Sequence, residues 1–119
     1  MVIMGDLSRN FSKSEFACPH CGALIGPSRD LLATLQYART SQGRPLAIVD
    51  GYRCAAYNKI VGGIQGSQHL TGNAADVRAG YATVAEWTAY GAGGIGTRGG
   101  SVIHVDQTPG WHGHTFVDA

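Results

Sequence analysis

Nowhere in the 119 residues does an apolar run approach the roughly 20 residues of a membrane-spanning helix, so no segment reads as a membrane anchor. The opening MVIMGDLSRN has no basic stretch followed by a long apolar one, and does not read as a Sec-type signal. If the protein acts outside the cytoplasm, it is expected to be made in the host cytoplasm and carried out by other means, such as a holin, cell lysis or a virus particle. Charge is scarce as well. Charged residues make up 14% of the chain and the formal net charge is +1, too little to draw the protein onto nucleic acid or an anionic membrane, and neither is expected as a partner. Cysteines number only three, Cys18, Cys21 and Cys54, and an odd count without a signal argues against a disulfide framework.

What is present is a globular composition. The hydrophobic fraction is 44%, and the length suits one domain over 1–119 with a modest core. Glycine, with 18 copies, points to tight turns and ordered loops. Cys18 and Cys21 form a CPHC unit, which is half of a structural zinc site or a redox pair. A second metal site would have to add Cys54 and either His20 or an outside ligand. Plain buried thiols are the preferred reading over a zinc site at Cys18, Cys21 and Cys54. No βαβ pattern of the thioredoxin kind surrounds the pair.

Ser12 to Ala17 reads as a short helical turn. Ser28 caps the clearest helix, which runs to about Ser41 with Leu31, Leu32, Leu35 and Ala38 on one stripe and Gly43 at its end. Pro45–Val49 reads as a buried strand, Arg53–Val61 as a short helix, and Gly62, Gly63 and Gly66 as a flexible connector. Ala74–Arg78 is a second strand and Tyr81–Tyr90 a helix with Val84 and Trp87 inward. Gly93–Gln107 reads as two strands around Arg98-Gly99-Gly100. The order predicts an α+β fold with a small, mainly antiparallel sheet and flanking helices.

Two segments carry chemistry. In Ser67-Gln68-His69-Leu70-Thr71-Gly72-Asn73-Ala74-Ala75-Asp76, Gly72 breaks any helix, so His69 sits at a loop end and Asp76 on the following strand. Asp76 shares a face with small Ala74, leaving room for an ion, while Ala75 and Val77 face the core. In Ser101-Val102-Ile103-His104-Val105-Asp106, alternation puts Ile103 and Val105 on one face and His104 and Asp106 on the other. Taken alone, His104 and Asp106 read as a surface pair on a half-buried strand. His69, Asp76 and His104 are residue types that a zinc with one position left for solvent could take, but the strand alone leaves the surface-pair reading of His104 ahead.

Ser-x-His-x-x-Gly-x-Ala-x-Asp followed by a strand histidine resembles the zinc D-Ala-D-Ala peptidases. That group includes D-Ala-D-Ala carboxypeptidases, VanX-type dipeptidases and phage L-Ala-D-Glu endolysins, and its fold is shared by the hedgehog signalling domain. The likeness is to small phage-type members and runs from Phe11 to about Trp111. It includes Phe16-Ala17-Cys18, Gly51-Tyr52-Arg53-Cys54, Asn58, Val61-Gly62-Gly63, Gly94-Ile95-Gly96 and His104-Val105-Asp106. It implies a peptidoglycan peptidase acting on stem peptides, with one catalytic zinc on His69, Asp76 and His104. Arg53 matches an arginine that binds or polarises substrate, and its competing role is a salt bridge with Asp50. Ser67 and Gln68 are substrate-binding candidates that could equally brace the loop.

One departure bears on mechanism. Many relatives place Glu or Asp three residues before the last histidine ligand as general base, and here that residue is Ser101. Asp106 is the candidate proton acceptor, with orientation of a ligand as its alternative role; Asp50 and Glu86 are weaker candidates. In the tail, Trp111 is expected over the rim of the site, and His112 and His114 on a surface segment. A virion or tail protein is a conceivable partner, and a monomer is expected outside such an assembly. The rival function is a zinc-bound virion or wall-binding domain without catalysis.

Overall fold

The computed structural model of the chain describes residues 5–118; residues 1–4, part of the start read above for a signal, and residue 119 lie outside it. Helix α1 (Arg29–Gln42) starts where the Ser28 hydroxyl accepts the Leu31 N–H at 3.2 Å, and stops at Gly43, whose φ of 67° is left-handed. Its stripe of Leu31, Leu35 and Ala38 is fully buried. Then follow β1 (Ile48–Asp50), α2 (Ala55–Ile60), β2 (Ala74–Val77), α3 (Val84–Ala89), β3 (Gly94–Arg98), β4 (Ser101–Asp106) and β5 (His114–Val117). Short 3-10 turns occupy Lys13–Glu15 and Gln68–Thr71.

The strands form one sheet in the order β1-β2-β4-β3-β5. Neighbours are antiparallel except β3 and β5, which run parallel. The architecture is therefore α+β, a mainly antiparallel sheet with helices against it. Its core lies on one face, where Ala75, Val77, Ile95, Val102 and Val105 meet α1, Phe11, Phe16 and Trp87. Among the described residues, no helix is long and apolar enough to cross a membrane.

Four expectations need correction. The strand read at Pro45–Val49 is instead Ile48–Asp50, and it is not buried, since Val49 is exposed and Ile48 half-buried. The tail is at the surface as expected, with His112 and His114 exposed, but it is held there as an edge strand: His114–Val117 pairs with Gly94–Thr97. The β4 alternation is interrupted. Gly96 pairs with His104 but Thr97 pairs with Val102, so Ile103 is an extra residue in a β-bulge. Val102 therefore joins the core beside Val105, while Ile103 stays half-buried. The third helix begins later than Tyr81, because Thr83 caps it; the Glu86 carboxylate accepts the Thr83 N–H at 2.9 Å. Glu86 is thus a capping residue in the first turn of α3.

Candidate metal centre

Asp76 and His104 face each other across β2 and β4, in register. Cross-strand partners on one face bring their side chains together, so the pairing alone unites two of the candidate ligands. His69 reaches them from the 3-10 turn Gln68–Thr71. Gly72, with a φ of 72°, ends that turn and returns the chain to β2. The Arg53 N–H donates to the His69 carbonyl at 3.2 Å, which ties the turn to the segment after β1.

The three donor atoms form a nearly equilateral triangle. His69 Nε2 lies 3.2 Å from Asp76 Oδ1, His104 Nδ1 lies 3.2 Å from the same oxygen, and the two nitrogens are 3.3 Å apart. A tetrahedral zinc with bonds of about 2.1 Å has ligand–ligand edges of about 3.4 Å. The donor set and its spacing therefore fit zinc, with three protein ligands and one position left over.

Each imidazole is oriented by a hydrogen bond on its other nitrogen. His69 Nδ1 donates to the Gly51 carbonyl at 2.7 Å, and His104 Nε2 donates to Asp106 Oδ2 at 2.8 Å. Those bonds fix the tautomers so that Nε2 of His69 and Nδ1 of His104 present lone pairs to one point. Two lone pairs facing each other at 3.3 Å need a cation or a proton between them. The surroundings of His104 favour a proton on it. Burial pulls its pKa down, but Asp106 and Asp76 outweigh that and raise it to about 9. Burial pushes Asp76 up, yet the hydrogen bond and charge of protonated His104 hold its carboxyl well below the usual range.

Asp106 stands behind His104, and both of its oxygens are engaged. Oδ2 accepts from His104, and Oδ1 accepts the Thr108 N–H at 2.9 Å and the Thr108 hydroxyl at 2.7 Å. Burial raises its pKa, but the His104 and Thr108 bonds lower it by more, so it stays a carboxylate. Gly94 makes this possible, since a Cβ there would lie 2.4 Å from the Asp106 carboxylate. Arg53 forms the competing pair with Asp50, Nε to Oδ2 at 2.7 Å, but its Nη2 also holds Asp76 Oδ2 at 2.7 Å. The guanidinium thus braces the carboxylate ligand from its free side.

The triangle opens into a cleft of about 640 Å³. Arg53, Ser67 and Gln68 line it, together with His69, His104 and Asp106. The Ser67 hydroxyl accepts the His69 N–H at 3.2 Å, and Gln68 Oε1 accepts from Asn73 Nδ2 at 2.9 Å, so both brace the loop as well. Trp111 stands at the rim, and Phe116 of β5 packs edge-on against His104 with ring centroids 5.4 Å apart. His112 and His114 are exposed and do not line the cleft. Ser101 lines a separate cavity, beside Arg44 and Tyr81.

Three contributors escaped the sequence reading. Asn73 receives the Ser28 hydroxyl at 2.6 Å and donates to the Gln107 carbonyl at 2.9 Å, joining α1, the histidine turn and the end of β4. Phe116 and Asp118 reach the cleft only because β5 joins the sheet. Nothing local in the tail signals that long-range pairing.

The cysteines also differ from expectation. Only Cys18 is buried; Cys21 is exposed and Cys54 half-buried, and all three are free. Their sulfurs nevertheless lie within 4.8 Å of one another, a second cluster with metal-ligand chemistry.

A family model described as Peptidase M15 matches residues 7–106, most of the chain and all three histidine and aspartate ligands. Among curated proteins none matches.

Proposed function

The chain belongs to the peptidase M15 family and is a zinc-dependent peptidoglycan-hydrolysing metallopeptidase, and on that premise we propose that it cuts an amide bond in the wall's stem peptides. The observation that carries the reading is the donor triangle of His69, Asp76 and His104 at the floor of an open cleft. These three residues would hold the ion. Zinc, when bound, supplies Lewis acidity to a carbonyl oxygen and acidifies water.

The chain's own residues supply the rest. Arg53 lines the cleft with its charge offset by Asp50 and Asp76, and a guanidinium there suits the carboxylate of a wall peptide or a carbonyl gaining negative charge. The Ser67 hydroxyl proton and Gln68 Nε2 have no acceptor among the described residues, which leaves them free to donate to peptide carbonyls.

Of the two roles open to Asp106, its geometry supports orientation of His104. Another cleft carboxylate is then the candidate for the proton acceptor. Asp118 lines the cleft, and its side chain has no hydrogen-bond partner among the described residues. A Cβ placed on Gly96 would touch both the His104 Cβ, at 3.0 Å, and the Asp118 Cβ, at 3.1 Å, so the two side chains flank the same glycine. We assign the proton to Asp118.

The experiment measures release of new amino groups from purified peptidoglycan, per bound zinc. His104→Ala should lose zinc and activity together. Asp118→Asn should keep zinc and lose turnover, and Asp106→Asn should keep turnover per bound zinc. If instead Asp106→Asn keeps zinc and is inactive while Asp118→Asn is unaffected, Asp106 is the base. A wild type that holds zinc and cleaves no wall peptide from varied hosts would return the non-catalytic wall-binding or virion domain to first place. The proposed setting, resting on the likeness to small phage-type members, is a lysis cassette or a virion-borne wall-degrading module.

A further inference from the structure

We propose that Cys18, Cys21 and Cys54 form a second, structural site for a thiophilic divalent ion of the zinc class, with His20 nearest for the fourth position. The three sulfurs lie within 4.8 Å of one another although Cys54 is far along the chain from the CPHC unit. The approach is built by backbone contacts. Tyr52 N–H donates to the Phe16 carbonyl at 2.8 Å, and Cys54 N–H points at Cys18 Sγ from 3.4 Å. Gly51 lets the two segments touch, since a Cβ there would sit 2.7 Å from the Phe16 Cα.

The CPHC segment has the shape of a chelating turn. Gly22 N–H donates to the Cys18 carbonyl at 2.7 Å, and Gly22 takes a φ of 75° that other residues rarely adopt. This puts both sulfurs of the turn on the side facing Cys54. The Tyr57 N–H points at Cys54 Sγ from 3.4 Å, so two of the three sulfurs receive amide hydrogens, an arrangement that suits thiolate ligands. His20 Nδ1 lies 3.7 Å from Cys54 Sγ. In a tetrahedral zinc site that edge is about 3.6 Å.

Free thiols would need no such convergence, and a disulfide between any two would strand the third sulfur. An ion uses all three. Its effect would be felt in the cleft: Cys54 caps α2 and directly follows Arg53, while Gly51 holds His69. The site would therefore pin the segment that braces both Asp76 and His69.

The test is zinc content of the full chain purified with reductant, together with the absorption of its cobalt(II) form. The wild type should hold two ions per chain and show thiolate-to-cobalt charge transfer. The His69→Ala, His104→Ala double variant should keep one ion and keep that band. Cys21→Ser should fall to one ion and lose the band, while peptidoglycan cleavage reports separately on the other centre. The double variant keeps every cysteine, so a folding failure of Cys21→Ser leaves the test standing. One zinc in the wild type, with none and no band in the double variant, would overturn the proposal, as would a disulfide found by thiol titration of protein isolated without reductant.

Discussion

At the scale of single residues, the centre depends on which nitrogen of each histidine faces the ion. Residue type made His69, Asp76 and His104 legible as donors, and the resemblance made them legible as one ligand set. For His69 the nitrogen was not legible, because it is decided by the Gly51 carbonyl, 18 residues away in sequence; for His104 it is decided by Asp106, two residues on, whose side chain had to be seen in place. Asp106 was visible as a neighbour on the same strand face, but its Thr108 bonds, which occupy the second oxygen, were not. Replacing Asp106 by alanine should weaken zinc binding about 10–100-fold, as expected for loss of a carboxylate that orients a ligand. Competition with a chromophoric chelator measures this, and an unchanged affinity would remove the orienting role. The His104 proton gives a pH test in the metal-free protein. Its pKa rises from 6.5 in the unfolded chain to about 9 in the fold. Its stabilisation is therefore fully present below pH 6.5 and is lost as pH rises through about 9. Zinc must displace that proton, so its apparent affinity should rise about tenfold per pH unit across this window. Titrations at several pH values check it; a flat affinity would mean that His104 binds zinc without releasing a proton.

At the scale of elements, the caps and the apolar stripe announced α1, and the Gly99-Gly100 turn announced the β3–β4 hairpin, because these signals are local. The bulge at Ile103 and the pairing of β5 were hidden. Both depend on register between strands, and the tail reads His-Thr-Phe-Val with no strong alternation of its own. The element that matters most for the site is the 3-10 turn carrying His69, and its weak point is Gly72. A side chain there would be strained by the φ of 72°, and its Cβ would lie 2.0 Å from the Ile25 carbonyl oxygen. Backbone, not a flexible side chain, is in the way, and the Gly72 carbonyl also receives the Ser28 N–H that starts α1 at 2.9 Å. Gly72→Ala should therefore destabilise the fold by about 1–3 kcal/mol and weaken zinc binding in the fraction that folds. Denaturant unfolding with and without zinc measures both; full stability would mean that the Ile25 segment yields freely. Phe116 belongs to the same scale. Phe116→Ala removes the edge-on contact to His104 and one wall of the cleft. It should raise KM for wall fragments more than it lowers kcat, with zinc content unchanged.

At the scale of the molecule, the sheet separates two tasks. Alternation along β2 and β4 sends Ala75, Val77 and Val105 into the core with Trp87 and α1, and Asp76, His104 and Asp106 to the opposite face. The apolar half was readable from the pattern, since burial on one face demands it. The convergence of His69 with that polar face was readable only through the resemblance, because loop geometry carries no period. The division has a thermodynamic consequence. The hydrophobic core does not include the ligands, so stripping the metal should leave the sheet and helices intact. Yet the ion joins a loop, β2 and β4, and a ligand that binds only the folded state at 100 times its dissociation constant adds about 2.7 kcal/mol. For a domain of this size that corresponds to a melting temperature higher by about 10 °C. Chelation should therefore lower Tm by about this amount while the far-ultraviolet circular dichroism at room temperature stays unchanged, and added zinc should restore it. Loss of the spectrum on chelation would show that the apolar face cannot hold the fold alone. An unchanged Tm at saturating zinc would show that the unfolded chain binds the ion as well as the folded one does, which histidine and cysteine side chains in an open chain can do only if the folded triangle confers no advantage.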